Sequence, residues 1–434
     1  MPWELVAALI FGLVFLFILG GISVAVSLGG VAILTAYILL GSAGSLAYAS
    51  WNIATKFILV AIPLFIFMGE LLLRGGMSDR LYTGSTALLG RIPGSLLHAN
   101  IVSCSIFAAI SGSSVATAAT IGTVAIPELK KRGYEHKIVL GSLAAGGTLG
   151  ILIPPSIAMI IYGSITGQSI GRLFIAGIIP GIMLALLFMG YIVVRVMTRP
   201  QLAPTYEKIP IKRRILDIIA VWPVLLIMFA VLGGIYLGVT TPTEAAAIGA
   251  IMALAFSLAY RKLTWASLRQ CLRTTVKTST MIMFLVVGAQ LLVSILSSER
   301  IPDNILAWVE SLAISPLAIL ILIYIVYLFL GCFMDGTAMM LVTLPIVFPI
   351  IKALGFDPIW FGVALVILVE MALLTPPVGM NAYVIHGISP DHSLTEVFIG
   401  IIPFFVMMVV GLAIITAFPV IATWLPATMM KVGG

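Results

Sequence analysis

The sequence predicts an all-α polytopic membrane protein made of two repeats with opposite membrane orientation. Its 434 residues are 61% hydrophobic and only 9% charged, and their mean hydropathy is +1.22. So much apolar surface cannot be hidden inside a soluble domain, whereas helices in a bilayer satisfy their own backbone hydrogen bonds. The second observation is a repeat, because Pro154-Pro155 recurs as Pro376-Pro377, 222 residues further along the chain.

The same offset of 222 residues relates other positions of the two halves. It pairs Pro127 with Pro349 and Gly133 with Gly355. Further on, the match continues with a slip of one or two residues between the strings SIGRLFIAGIIP and SLTEVFIGIIP. Each copy therefore contains a glycine-rich run, a Pro-Pro interruption and a hydrophobic helix. Paired interrupted helices in an apolar chain are the best sequence indicator of a binding site between repeats.

Ten membrane-crossing helices are expected, because about 20 apolar residues are needed to cross the hydrocarbon. In the first repeat, residues 1–195, they are predicted near 3–25, 29–48, 57–73, 138–165 and 171–194. In the second repeat, residues 216–434, they are predicted near 216–238, 243–260, 278–297, 358–385 and 394–420. The helices near 138–165 and 358–385 are broken at their Pro-Pro pairs.

Two further apolar stretches, near 97–127 and 315–350, are too long for one helix. Each has a polar interruption at its middle, SGSS in the first and MDGT in the second. This pattern predicts one re-entrant helical hairpin in each repeat.

Basic residues predict the orientation of the helices. Three clusters, within 130–137, 195–214 and 261–277, are expected on the cytoplasmic side. The counterpart of the first cluster keeps only Lys352 and carries Asp357. Five crossings in each repeat, an odd number, also require that the second copy be inverted. Residues 196–215 are then a cytoplasmic joint, and both termini are expected on the periplasmic side.

Composition and motifs argue against several other functions. The net charge of +7 reflects the basic loops, and no nucleic-acid partner is expected. The chain lacks the phosphate-binding GxxxxGK[ST] and zinc-binding HExxH motifs. Its three cysteines have no metal spacing, and Asp335 is the one aspartate expected deep in the membrane. Enzymatic activity is therefore not predicted.

Polar and flexible residues at the hairpin tips predict the functional site. The first tip carries Ser111, Gly112, Ser113 and Ser114, and the second carries Asp335, Gly336 and Thr337. Proline frees backbone carbonyls in the facing broken helices, which suits a hard cation such as sodium. Helix N-termini beside the tips favour an anion, so a carboxylate substrate is expected. The residues predicted to contact this substrate are Ser113, Ser156, Gly336 and Asn381.

Alternative roles stay open for some of these residues. Small and hydroxyl residues also serve to pack transmembrane helices. Asp335 fits the N-cap of the second hairpin arm, a role compatible with cation binding. Glu370, six residues before Pro376, is either a functional acid or a hydrogen-bond partner of the unwound loop. Glu244 fits a capping box with Thr241.

Five strings resemble a known family along essentially the whole chain. They are GTVAIPELKKRGY, AAGGTLGILIPPSIAMIIYG, TPTEAAAIGA, FMDGTAMMLVTLPIVFPIIKALGFDP and LLTPPVGMNAYV. The chain is similar to the large membrane subunit of tripartite ATP-independent periplasmic (TRAP) transporters, the DctM-like family. The resemblance implies an elevator-type secondary transporter of the bacterial inner membrane that carries sodium ions and one organic acid. It also implies two partners, a small four-helix membrane subunit and a periplasmic substrate-binding protein.

The resemblance further implies a sodium site between each hairpin tip and the facing broken helix. Carried over by motif, the sodium residues are Ser111, Ser114, Gly147, Gly150 and Pro154 in the first site and Asp335, Thr337, Thr375, Pro376 and Gly379 in the second, with Glu370 as a supporting residue. Where the family usually has glycine, this chain has Ala372, so a close approach of another backbone is less expected at this position than in the family. A stand-alone sodium-carboxylate symporter of similar fold is the alternative, and neither interpretation identifies the organic acid.

Overall fold

The structure, a computed structural model, describes residues 2–89, 92–204, 210–311 and 314–429, and its regular structure within those ranges is helical. The α-helices, in chain order, are α1 Trp3–Leu19, α2 Val24–Leu40, α3 Gly44–Ala54, α4 Ala61–Arg74, α5 Met77–Leu89, α6 Leu96–Ser111, α7 Ser114–Lys131, α8 His136–Leu152, α9 Ile157–Thr166, α10 Ile170–Thr198, α11 Ile211–Ile219, α12 Trp222–Tyr236, α13 Pro242–Ala259, α14 Trp265–Ser298, α15 Ile301–Ser311, α16 Pro316–Gly331, α17 Gly336–Ala353, α18 Pro358–Ala372, α19 Met380–Ile388, α20 Leu394–Ala417 and α21 Val420–Thr428. Part of the predicted joint, residues 205–209, lies outside the described residues.

The helix boundaries repeat the offset found in the sequence. α7 and α17 begin 222 residues apart and also end 222 residues apart, and α8 and α18 begin at the same spacing. Helix pairs occupy both predicted hairpins, α6 with α7 and α16 with α17. Both predicted broken helices are interrupted around their Pro-Pro pairs, and both Pro-Pro bonds are cis.

Eight helical segments of the described residues are long and apolar enough to cross a membrane. Seven of them, 57–74, 136–166, 170–198, 211–236, 242–259, 265–298 and 394–417, coincide with predicted crossings. The eighth is α17, an arm of the second hairpin. The remaining predicted crossings correspond to α1, α2 and α18, which are shorter apolar helices.

Some predicted helix ends are wrong because glycine stops a helix within an apolar stretch. The helix predicted near 3–25 ends at Leu19, and Gly21 follows with a φ of +82°. The helix predicted near 29–48 is α2, which ends before Gly41, where φ is +68°. Glycine adopts this left-handed conformation at helix ends without steric cost, and hydropathy does not detect it.

The helix predicted near 278–297 begins much earlier, at Trp265. Thr264 and Ser267 form a capping box that starts it. Basic residues such as Arg269 and Arg273 are therefore helical rather than in a loop. Charged side chains lower hydropathy without ending a helix. The short helices α3, α5, α15 and α21 were not predicted, and α11 was predicted only in its last part, from 216.

Contacts between the copies show how the two broken helices are arranged. α20 packs beside the start of α8, so closely that a methyl group added to Gly141 would collide with the Gly400 carbonyl. At the other end, Tyr162 of α9 donates a 2.6 Å hydrogen bond to the carbonyl of Pro358, where α18 starts. α18 therefore begins beside α9, the far part of the first broken helix. The two copies therefore contact each other at both ends of the first broken helix.

An ion pair joins the copies at the end where α8 and α20 begin. Lys130 Nζ lies 2.6 Å from Asp391 Oδ2, and this contact lowers the pKa of the Asp391 carboxyl. Both side chains are exposed, so solvent screens the attraction. The pair indicates which surfaces meet and contributes little stability.

The predicted inversion can be tested with two equivalent exposed positions, Lys131 and Ala353. With the native cysteines replaced by alanine, we expect Lys131→Cys to resist a membrane-impermeant maleimide in intact cells and Ala353→Cys to react. The reason is that basic residues surround only the first position. Labelling after cell disruption is the control for accessibility. Equal labelling of both variants from outside would contradict the inversion.

Candidate functional site

A cavity of about 680 Å³ lies between the two hairpin tips. Its wall includes 111–116 of the first tip and 335–337 of the second. Other helices complete the lining, with Glu70 on α4 and Thr274 and Thr278 on α14. The polar groups of both repeats are therefore brought to one space.

Five helices begin at this cavity. One is α2, which starts at Val24, and the other four belong to the hairpins and broken helices, two from each copy. α7, α9, α17 and α19 contribute lining residues from their first turns: Ser114, Ile157, Gly336 and Met380. Helix N-termini carry unpaired N–H groups and the positive end of the helix dipole. The described lining contains no lysine or arginine. Favourable potential for an anion must come mainly from the backbone.

Side chains cap three of these four N-termini. Ser113 and Ser156 each accept a 3.3 Å hydrogen bond from the backbone N–H three residues ahead. Asp335 accepts two, at 3.0 and 3.2 Å, so its predicted N-cap role is confirmed. α19 follows Gly379, whose φ is +30°, and has no side-chain cap. Its Asn381 and Ala382 N–H groups donate instead to the carbonyls of Leu373 and Gly379, at 3.1 and 2.8 Å.

The structure brings six of the predicted site residues to the cavity wall: Ser111, Ser113, Ser114, Asp335, Gly336 and Thr337. The others lie outside the lining: Gly147, Gly150, Pro154, Ser156, Glu370, Thr375, Pro376, Gly379 and Asn381. Ser156 and Asn381, which the sequence assigns to the substrate, are fully buried. The Asn381 amide donates to the carbonyl of Ala144 at 3.1 Å. Both side chains hold the broken helices in place behind the cavity surface.

The first tip lies directly on the first broken helix, where glycines leave room for its backbone. A methyl group at Gly150 would lie 2.8 Å from the Ser114 nitrogen, and one at Gly147 would lie 3.0 Å from the Ser114 carbonyl oxygen. Gly112 has a φ of +60°, and a methyl group added to it would lie 3.0 Å from the Pro155 carbonyl oxygen. Only glycine permits this contact, which places tip and break side by side.

Oxygen atoms cluster at the first tip. The Ser111 and Thr117 hydroxyls are 2.9 Å apart, and the Thr117 hydroxyl donates to the Ser113 carbonyl at 2.8 Å. Hydroxyl and carbonyl oxygens are ligands that hard cations accept. Thr117, which is fully buried, was not among the predicted ligands. Its position one helical turn after Ser113 is the signal that could have identified it.

The second tip packs on the second broken helix in a similar way, but here the glycines belong to the hairpin and not to the broken helix. A methyl group at Gly336 would lie 3.0 Å from the Val369 carbonyl oxygen, and one at Gly331 would lie 3.0 Å from the Ala372 Cα. The close approach at Ala372 therefore exists, because the hairpin supplies the glycine. Thr375 is bonded within its own helix break, since its hydroxyl donates to the Met371 carbonyl at 2.8 Å.

Glu370 is fully buried and reaches the opposite copy. Its Oε1 accepts a 2.5 Å hydrogen bond from the hydroxyl of Ser114. The backbone amide of Ile151, near the end of α8, lies beside the same carboxyl group. Oε2 has no hydrogen-bond partner among the described residues. Of the two roles left open by the sequence, bonding to its own unwound loop is not observed.

One acid and two hydroxyls of the lining, which come from α4 and α14, were not identified from the sequence. Glu70 forms the expected local ion pair with Arg74, at 3.1 Å, yet it also lines the cavity. Thr274 and Thr278 are one helical turn apart on α14 and face the same side. Hydroxyls at that spacing in a long helix were the available signal.

Comparisons with known proteins agree on one family. The family model described as "Tripartite ATP-independent periplasmic transporter, DctM component" matches residues 11–421. The C4-dicarboxylate TRAP transporter large permease DctM of Pseudomonas aeruginosa is 37% identical over 89% of this chain and 90% of its own. The sialic acid TRAP transporter large permease SiaM of Vibrio cholerae is 33% identical over 87% of this chain and 88% of its own. The isethionate TRAP permease DctMQ of Oleidesulfovibrio alaskensis is 34% identical over 95% of this chain and 65% of its own.

Solved structures share the fold at low sequence identity. The crystal structure of the Alcanivorax borkumensis YdaH transporter superposes with a TM-score of 0.61 and 14% identity, covering 90% of this chain and 89% of that one. Taken with the matched family model and the relatives, which are transporter permeases rather than enzymes, the helical architecture leads to one conclusion: the chain belongs to the DctM family of TRAP transporter large permeases and is one component of a tripartite membrane transport system.

Proposed function

We propose that this protein carries an organic acid across the bacterial inner membrane, coupled to sodium, together with a small membrane subunit and a periplasmic substrate-binding protein. The observation that carries the proposal is that the hairpins and broken helices of the two copies direct four helix N-termini, two from each copy, to one cavity. Such a site attracts an anion without holding it by a fixed positive side chain. The bound anion can therefore be released at the other side of the membrane.

The substrate class follows from the chemistry of this cavity. Backbone N–H groups and hydroxyls bind oxyanions of several kinds. The similar permeases are named for C4-dicarboxylates, sialic acid and isethionate, of which the first two are carboxylates and the third is a sulfonate. Their shared feature is an acidic oxygen group, which supports an organic acid as the substrate here.

Sodium coupling is supported by the neutral oxygens at the tips and by the state of the nearby acids. Asp335 accepts two backbone hydrogen bonds, and Glu70 is paired with Arg74. Both acids of the described lining thus already have partners within the protein. Hydroxyl and carbonyl oxygens suit a hard monovalent cation.

An elevator mechanism is supported by how the helices divide. The hairpins pack on the broken helices, with α6 and α7 against α8 and α17 against α18. Separately, α14 packs along α2 and α13 along α4. We propose that the hairpins and broken helices move as one body past this second group. In this proposal the two copies, 1–195 and 216–434, have opposite membrane orientation and both termini are periplasmic.

The test is substrate uptake into proteoliposomes that contain all three components. We expect uptake under an inward sodium gradient and none under a proton gradient alone. Asp335→Ala should raise the sodium concentration for half-maximal uptake roughly tenfold, because it removes both an oxygen and an N-cap, a loss of about 1 kcal/mol or more. Asp335→Asn, which keeps a capping oxygen, should have a smaller effect. Full uptake without sodium would refute the coupling.

A further inference from the structure

One hydrogen bond joins the acid of the second broken helix to the tip of the first hairpin. Glu370 lies in the last turn of α18, and Ser114 is the first residue of α7, 256 positions away in the chain. The exposed fractions of the two residues are 0% and 1%. A buried carboxyl group that lacks hydrogen bonds is costly, so its one side-chain donor has a large influence on it.

The direction of this hydrogen bond determines how Ser114 can bind a cation. A hydroxyl has one proton to donate and two lone pairs to offer. Serines in helices often give that proton to the carbonyl one turn back, as Ser105 does to Ile101 at 2.8 Å. Ser114 gives it to Glu370 instead, at 2.5 Å. Both lone pairs of the Ser114 oxygen then remain available to accept a cation.

The carboxylate is held in place by the second hairpin. Gly336 packs against the Val369 backbone, and Gly331 packs against Ala372. These contacts lie on either side of Glu370 along α18. The last turn of α18 is therefore fixed by one hairpin while its acid reaches the other.

The contact has no counterpart under the 222-residue offset. Ser114 corresponds to Gly336 and Glu370 corresponds to Thr148. Gly336 has no side chain, and the Thr148 hydroxyl donates to the Ala145 carbonyl of its own helix at 2.6 Å. A contact needed only to hold hairpins onto broken helices would be expected in both copies. This one is specific to the first tip.

We propose that Glu370 is a positioning residue of the first cation site, which accepts the Ser114 proton so that the Ser114 oxygen presents its lone pairs to the ion. The inference rests on the sodium coupling proposed above. Glu370 acts through Ser114 and does not itself bind the ion.

A double-mutant cycle tests this inference in the complete three-component system. The variants are Ser114→Ala, Glu370→Ala and the double variant, and the measured quantity is the sodium concentration for half-maximal uptake. We expect each single variant to raise it about tenfold, since leaving a buried hydrogen-bonding group without its partner costs about 1–3 kcal/mol. The double variant should match Ser114→Ala, because no hydroxyl remains to be oriented.

Two further variants separate positioning from a structural role. Glu370→Gln retains a neutral acceptor, so its shift should be smaller than that of Glu370→Ala. Thr148→Val removes a buried hydroxyl at the equivalent position and should leave the sodium dependence unchanged. Sodium-dependent thermal stabilisation of each purified variant gives a second readout that does not require transport.

Three outcomes would overturn the proposal. If the shifts of the single variants multiply in the double variant, Glu370 acts independently of Ser114, while sodium coupling stands. If Glu370→Ala and Glu370→Gln lower thermal stability without changing sodium dependence, the pair is structural only. If the unmodified protein transports equally well without sodium, both this inference and the proposed function fail.

Discussion

Omitting the periplasmic binding protein should reduce uptake by the reconstituted system to background. The connections between the described helices are short, so the described chain has no extramembrane domain that could collect substrate. Its cavity attracts anions through helix N-termini alone, which gives little selectivity for one acid. We therefore expect the binding protein to supply both the substrate and its identity. The measurement is labelled substrate uptake under an inward sodium gradient, with and without each partner.

Docking of that partner is expected on surfaces that the sequence placed in loops near 50–56, 299–314 and 352–358. Two of these segments are largely helical, as α3 and α15, and residues 312–313 lie outside the described part. Trp51 and Trp308 are 69% and 55% exposed there, and tryptophan is a frequent anchor of protein interfaces. Trp51→Ala should weaken uptake at low binding-protein concentration only. Strong uptake by this chain alone, unchanged by the binding protein, would identify an autonomous symporter instead.

Replacing Gly150 with valine should lower the transport rate by about 100-fold or more. Even a methyl group at this position would lie 2.8 Å from both the nitrogen and the Cα of Ser114. Neither partner is a flexible side chain, so the tip must move off the broken helix. Overpacking of this kind costs about 1–3 kcal/mol or more, and it displaces the proposed cation ligands directly.

The control for this prediction is Gly190→Val on α10. Nothing lies within 4 Å of a methyl group at Gly190, which is exposed. This variant should insert and transport like the unmodified protein. Initial rates must be normalised to the amount of reconstituted protein. Normal transport by the Gly150 variant would show that the contact between tip and broken helix is not required.

The architecture was predictable because the bilayer imposes a simple constraint on helices. Crossing length and the repeated Pro-Pro pairs locate α8 to α10 and α18 to α20 closely. Prediction failed where local capping decides the outcome. Gly21 and Gly41 end helices inside apolar sequence, and the Thr264 capping box starts α14 within a basic segment. Each of these effects depends on one or two residues, and hydropathy averaged over a window of residues does not detect them.

The candidate site was predictable only in part, for a similar reason. Polar residues at equivalent places in two repeats mark the hairpin tips, and those residues do line the cavity. Which side chains face the cavity depends on helix rotation, so the sequence could not show that Asn381 is buried behind it. The bond between Ser114 and Glu370 joins segments that are distant in the chain, and no local sequence pattern predicts it.

The single occurrence of the Ser114–Glu370 bond also bears on how such a chain arose. An assembly of two identical subunits related by twofold symmetry makes every contact off its axis twice. Here the positions that correspond to Ser114 and Glu370 hold Gly336 and Thr148, so the symmetry-related second bond cannot form. An ancestral pair of identical halves could not have had one copy of this bond alone. We infer that this asymmetry arose after the two halves had diverged, either by gain of the bond at one tip or by its loss at the other.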